Sequence, residues 1–129
     1  MEQERILVIL DPDQAAHPCL DRAAALAAPN EALIELYTCD WKAALPARWV
    51  GAMTLLQYQA LVREERQQWL EELALPLRAK GLRVSTHSDW HPNVEQAVLS
   101  HIVATKPSTV LEEEIHGMRE RTPQNALRA

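Results

Sequence analysis

Long apolar runs, clustered basic residues and closely spaced cysteine pairs are all missing from this chain of 129 residues. No stretch approaches the roughly 20 consecutive apolar residues that span a bilayer, so no membrane association is expected. The N-terminus Met1-Glu2-Gln3-Glu4 is acidic where a secretory leader is basic and then apolar, and a cytoplasmic location is expected. Acidic residues number 18 against 13 Lys and Arg, for a net charge of -5, and no Lys/Arg stripe is present to neutralise a phosphate backbone. Nucleic acid is therefore not an expected partner. The two cysteines, Cys19 and Cys39, lack the spacing of a metal or redox pair and read as free packing thiols. Among the histidines His17, His87, His91, His101 and His116 only His87 and His91 stand four apart, and these fall on a strand and the helix entry after it rather than on one helix; neither H-E-x-x-H nor C-x-x-C occurs. No metal is expected on that basis. A G-x-S-x-G elbow and a Ser/His/Asp arrangement are likewise missing, so the chain reads as a binding or association module rather than an enzyme.

What is present is a strong alternation of strand and helix signals. Arg5-Ile6-Leu7-Val8-Ile9-Leu10 is a short apolar run that ends in Asp11-Pro12, the pattern of a buried parallel strand delivering an acid to the carboxyl edge of a sheet. Pro18 to Ala28 repeats at helical spacing behind a first-turn proline, and Pro29-Asn30 stops it. Ala32 to Cys39 alternates as a second strand. Trp41 to Met53 holds Pro46, two Trp and Gly51 without a period and is expected to be a long connection packed down as a flap. A charged helix then runs from Thr54 to a stop at Gly81, with a kink or break expected at Pro76. Arg83 to Ser88 is the third strand, Pro92 to Thr105 the next helix, and Ser108 to Leu111 a short fourth strand. Leu7, Val8, Ile9, Ile34, Leu36, Leu73, Val84, Val98, Ile102 and Val110 are the expected core. Length and order point to one α/β domain with right-handed crossovers and a parallel sheet.

These segments, in this order, resemble one domain of the universal stress proteins. The likeness rests on the strand ending in Asp11-Pro12, the Ala-rich helix Pro18 to Ala28, Leu36-Tyr37-Thr38-Cys39-Asp40, Trp69-Leu70-Glu71-Glu72-Leu73-Ala74 with Pro76-Leu77, Gly81, and Trp90-His91-Pro92. It covers roughly residues 5 to 122 and is greatest to the E-like branch, in which two such domains often stand in tandem. The resemblance implies a Rossmann-like, three-layer parallel sheet flanked by helices, in the order 3-2-1-4-5, and in one branch ATP binding. In that branch an acid after strand one and a residue at the end of strand two approach the base and ribose, roles that fall here on Asp11 and Thr38. His116 and Gly117 stand where the branch has its phosphate cradle. That cradle reads G-x-x-G, nine residues, then G-S or G-T, and works because glycine lets backbone N–H groups approach phosphate closely. Here Glu113 and Glu114 precede Gly117 and no Gly-Ser or Gly-Thr follows. Carboxylates at roughly 4 to 6 Å from a polyphosphate cost several kcal/mol where solvent is partly excluded.

ATP is thus disfavoured and no cofactor is expected. The implied fifth strand has no counterpart in the sequence pattern, so the expected sheet order is 3-2-1-4, with a domain over residues 1–118 and an irregular tail over 119–129. An uncovered fourth strand invites pairing, and a homo-oligomer or a complex with a related stress-protein domain is the expected assembly. Two function classes follow: a stress-response module acting by protein association with a degenerate nucleotide site, or a stress protein that binds a small ligand or an adenine nucleotide.

Overall fold

The computed structural model describes residues 4–40, 54–114 and 117–121. The elements run β1 (Arg5–Ile9), α1 (Pro18–Ala27), a 3-10 turn (Ala28–Asn30), β2 (Leu33–Asp40), α2 (Leu55–Ala79), β3 (Arg83–Trp90), α3 (Val94–Thr105), β4 (Thr109–Glu114) and β5 (Gly117–Arg121). They form one five-stranded sheet in the order β3-β2-β1-β4-β5. The first four strands are parallel, and β5 returns antiparallel to β4. The flap expected over 41–53 lies outside the described residues.

Two apolar layers sandwich the sheet, which is why β1 reads as a continuous rather than alternating hydrophobic run. Ile6, Val8, Leu10, Ile34, Leu36 and Leu111 face one way and pack with Cys19, Ala23 and Ala27 of α1 and Leu70, Ala74 and Leu77 of α2. Leu7, Tyr37 and Val110 face the other way and meet Val98 and Ile102 of α3. Of the expected core, Leu7, Val8, Ile34, Leu36, Val98, Ile102 and Val110 are buried and Ile9, Leu73 and Val84 are half-buried. Central position is what buries β1: Ile6 pairs with Ile34 on one side and Thr109 on the other.

Local chemistry sets the helix ends. Thr54 caps α2 by accepting from the Gln57 amide at 3.2 Å, while the Gln57 side chain accepts from the Thr54 amide at 2.8 Å. Asn93 caps α3 through the Gln96 amide at 3.0 Å. Gly81 leaves α2 with φ of 86°, a conformation that suits a residue without Cβ.

Two expectations are corrected. Of the kink or break expected at Pro76, the break does not occur: α2 continues to Ala79. Pro76 is exposed, and the buried Leu77 beyond it holds the last turn against the sheet. The fifth strand expected to be missing is present, in reversed direction, so residues 119–121 are strand rather than irregular tail. Its alternation is hidden among charges that pair across and beside the hairpin. Arg119 reaches Glu112 at 3.2 Å and Glu114 at 2.9 Å, Glu120 reaches Arg22 at 3.2 Å, and Met118 packs on the core. Covering β4 removes the bare edge from which pairing was expected.

Candidate functional site

The carboxyl ends of β1, β2 and β4 converge on a cleft of about 250 Å³ lined by Asp11, Pro12, Cys39, Val94, Glu112 and Glu113, among others. Open parallel sheets take their ligands at this edge, where strand order reverses. The cleft lies below the roughly 300 Å³ at which small-molecule pockets begin. Its chemistry is dominated by the carboxylate of Glu113, whose side chain is only 1% exposed. One oxygen accepts the Asp11 backbone N–H at 2.8 Å and the other meets Nδ1 of His17 at 2.5 Å. The imidazole of His17 also stands edge-on to Trp69, with 5.5 Å between ring centroids. An internal anion thus uses the amide that the loop after β1 offers.

The residues named from the sequence fare differently. Asp11 is half-buried and organises its own turn, accepting from the Asp13 amide at 2.9 Å and the Gln14 side chain at 3.4 Å. Thr38 is buried, and its hydroxyl donates to the Leu10 carbonyl at 3.0 Å, tying the ends of β1 and β2 together. Gly117 opens β5 in register with Glu114. His116 lies outside the described residues. The fold brings Asp11 and Thr38 to the same edge, adds His17, which pattern reading passed over, and gives Glu113 a structural role there. Glu113 was visible only as part of an acidic run.

Burial governs the thiols nearby. Burial pushes Cys19 up to about 12, with Glu113 and then Glu112 adding repulsion. Cys39 is pushed up to about 11, again first by burial. Both thiols stay protonated at neutral pH and are poor nucleophiles.

A second polar group, not anticipated from the sequence, sits on the α3 face of the sheet. His87 Nε2 and Asp89 Oδ1 are 2.9 Å apart, and the Tyr37 hydroxyl donates to the other Asp89 oxygen at 2.9 Å. His101 of α3 reaches down to Glu35 at 2.8 Å and stacks on Tyr37 at 4.4 Å. Burial, followed by the bond to Asp89, raises the Tyr37 phenol, which remains a donor. The available signal was period two: Glu35 with Tyr37, and His87 with Asp89, share a face of adjacent strands.

No family model matches the sequence, and no curated relative was found. Solved structures do match. A protein of the universal stress protein family from Burkholderia pseudomallei superposes with a TM-score of 0.69 at 19% identity, over 97% of this chain and 88% of that one. Universal stress protein UspA from Lactobacillus plantarum gives 0.51 at 13% identity, over 87% and 77%. A functionally unknown protein from Pseudomonas aeruginosa PAO1 gives 0.56 at 24% identity; the match covers 84% of this chain but only 31% of the Pseudomonas one. The fold is therefore the one universal stress proteins have.

Proposed function

We propose that this chain, which carries the universal stress protein fold, is a non-catalytic stress-response module that acts in the cytoplasm by associating with protein, its nucleotide site closed by its own side chain. The observation that carries this reading is Glu113, buried and bonded to the Asp11 amide in the cleft where a bound anion would need that donor. A polyphosphate entering there would meet Asp11, Glu112 and Glu113 together. Association is supported by the sheet margins. Among the described residues, β3 and β5 each pair on one side only, and Val103 of α3 is 58% exposed. The partner proposed is a second copy or a related domain.

The test is native purification, mass spectrometry of released small molecules, and sedimentation at micromolar concentration. No retained nucleotide together with a dimer or larger assembly is expected. A strict monomer overturns the association half; bound ATP, ADP or AMP overturns the closed site. Nucleotide retention would favour a second reading, a small-ligand or adenine-nucleotide binder, which draws on the position of the cleft at the carboxyl edge. On that reading Asp11→Ala weakens the ligand by about 1 to 3 kcal/mol.

A further inference from the structure

We propose that His87, Asp89 and His101 form a binding site for a divalent transition-metal ion of the zinc type. One ligand atom from each of the three lies within 4.8 Å of the other two, and all three residues are half-buried. Two imidazoles and a carboxylate are a donor set that suits Zn²⁺ and Co²⁺ over Mg²⁺ or Ca²⁺, which prefer oxygen. With bonds of about 2.0 to 2.1 Å in tetrahedral geometry, neighbouring donors stand about 3.3 Å apart. His87 Nε2 and Asp89 Oδ1 are already at 2.9 Å, so an ion takes the place of the proton they share. The His87 and His101 rings lie stacked, 5.0 Å between centroids and 14° between planes, and must turn for their lone pairs to converge.

The surroundings fit a cation. Nε2 of His101 is held by the buried Glu35 at 2.8 Å, leaving Nδ1 to ligate. A carboxylate behind an imidazole is the usual device for fixing a metal-binding histidine. The Tyr37 hydroxyl similarly steadies Asp89 at 2.9 Å. With both imidazoles neutral, Glu35 and Asp89 give the group a formal charge of about -2, which a divalent ion balances. Asp89 and His101 also line a cavity of about 360 Å³ with Gln96 and Ser100, room for water or an exogenous donor at a fourth position.

The experiment titrates tag-free chain with Zn²⁺ by calorimetry and follows histidine ring signals by NMR. One equivalent is expected to bind, moving the His87 and His101 signals together, and affinity is expected to fall on acidification as the ligands take up protons. His87→Ala and His101→Ala should each weaken binding at least about tenfold, and Glu35→Gln by about tenfold through the orienting bond. Circular dichroism reports whether each variant is folded. If His101→Ala does not fold, His101→Gln replaces it, and the NMR shifts in the unaltered chain decide the question. Binding in a His87→Ala/His101→Ala double variant within twofold of the original, saturation at other histidines, or no binding at all would overturn the site.

Discussion

Removing the carboxylate of Glu113 should destabilise the fold out of proportion to its size. Glu113→Ala leaves the Asp11 amide without the charged acceptor now 2.8 Å away, a loss of about 1.5 to 3 kcal/mol. It also deprives His17 of a partner at 2.5 Å. That second hydrogen bond to a carboxylate is worth roughly a further 1.5 to 3 kcal/mol. These terms overlap, since one side chain serves both contacts, and the 12% exposure of the His17 side chain lets water recover part of the loss. Roughly 3 kcal/mol is the expected total, a fall in Tm on the order of 10 °C for a domain of this size. Glu113→Gln keeps an oxygen for the Asp11 amide while losing the charge, and should cost about 1 to 2 kcal/mol. Urea denaturation of both variants, and of a double-mutant cycle with His17→Ala, separates the contributions. A coupling of about 1 kcal/mol or more between positions 17 and 113 is expected. Strict additivity within about 0.3 kcal/mol, with Glu113→Ala near wild-type Tm, would mean that the carboxylate is solvated and the closed cleft is not real.

Three other outcomes are expected. Stability should fall as pH rises from about 9, because the unfolded chain releases the Cys19 and Cys39 protons there while the folded chain holds them to about 12 and about 11. The unfolded state then binds fewer protons, each thiol contributing up to about 1.4 kcal/mol per pH unit; urea melts of wild type and Cys19→Ala at stepped pH check this, the variant showing the shallower decline. Gly81→Ala should cost about 1 kcal/mol by thermal melting, and through backbone conformation alone, since φ is 86° and an added Cβ meets nothing within 4 Å. Arg119→Ala should change stability by less than about 0.5 kcal/mol despite its two ion pairs, because the side chain is 49% exposed, and a larger loss by the same assay would mean the hairpin is held by charge.

The parallel part of the sheet was legible because each of its strands announces itself by apolar content and each helix by period and stop signals. Reading failed where a local rule met tertiary context. Pro76 carries a general penalty for helix interiors, yet it lies one residue before Leu77, whose burial holds the final turn. Gly117-Met118-Arg119-Glu120-Arg121 offers a single apolar side chain, so a two-residue alternation is invisible until its cross-strand partners are known. Asp11 and Thr38 were placed at the right edge, because strand ends are predictable from strand identity. Glu113 was foreseen as one of the charges unfavourable to a polyphosphate; that it is withdrawn from solvent onto His17, 96 positions earlier in the chain, required the register of β1 against β4. The group around His87 and His101 escaped for the same reason. Histidines on a strand and a helix have no shared spacing.

The central place of β1 has a consequence for biosynthesis. The strand leaves the ribosome before either of its sheet neighbours, and of the two only β2 follows soon. The other, β4, bonds back through Ser108 to the Arg5 carbonyl, 103 positions away along the chain. Until β4 emerges, one flank of the most apolar strand carries open donors and acceptors, so a nascent chain released or stalled before that point presents an adhesive surface. The hairpin that follows needs no further crossover, so once β4 docks, β5 closes locally and fast. Vulnerability to aggregation should therefore be concentrated in chains that end between Arg83 and Thr109.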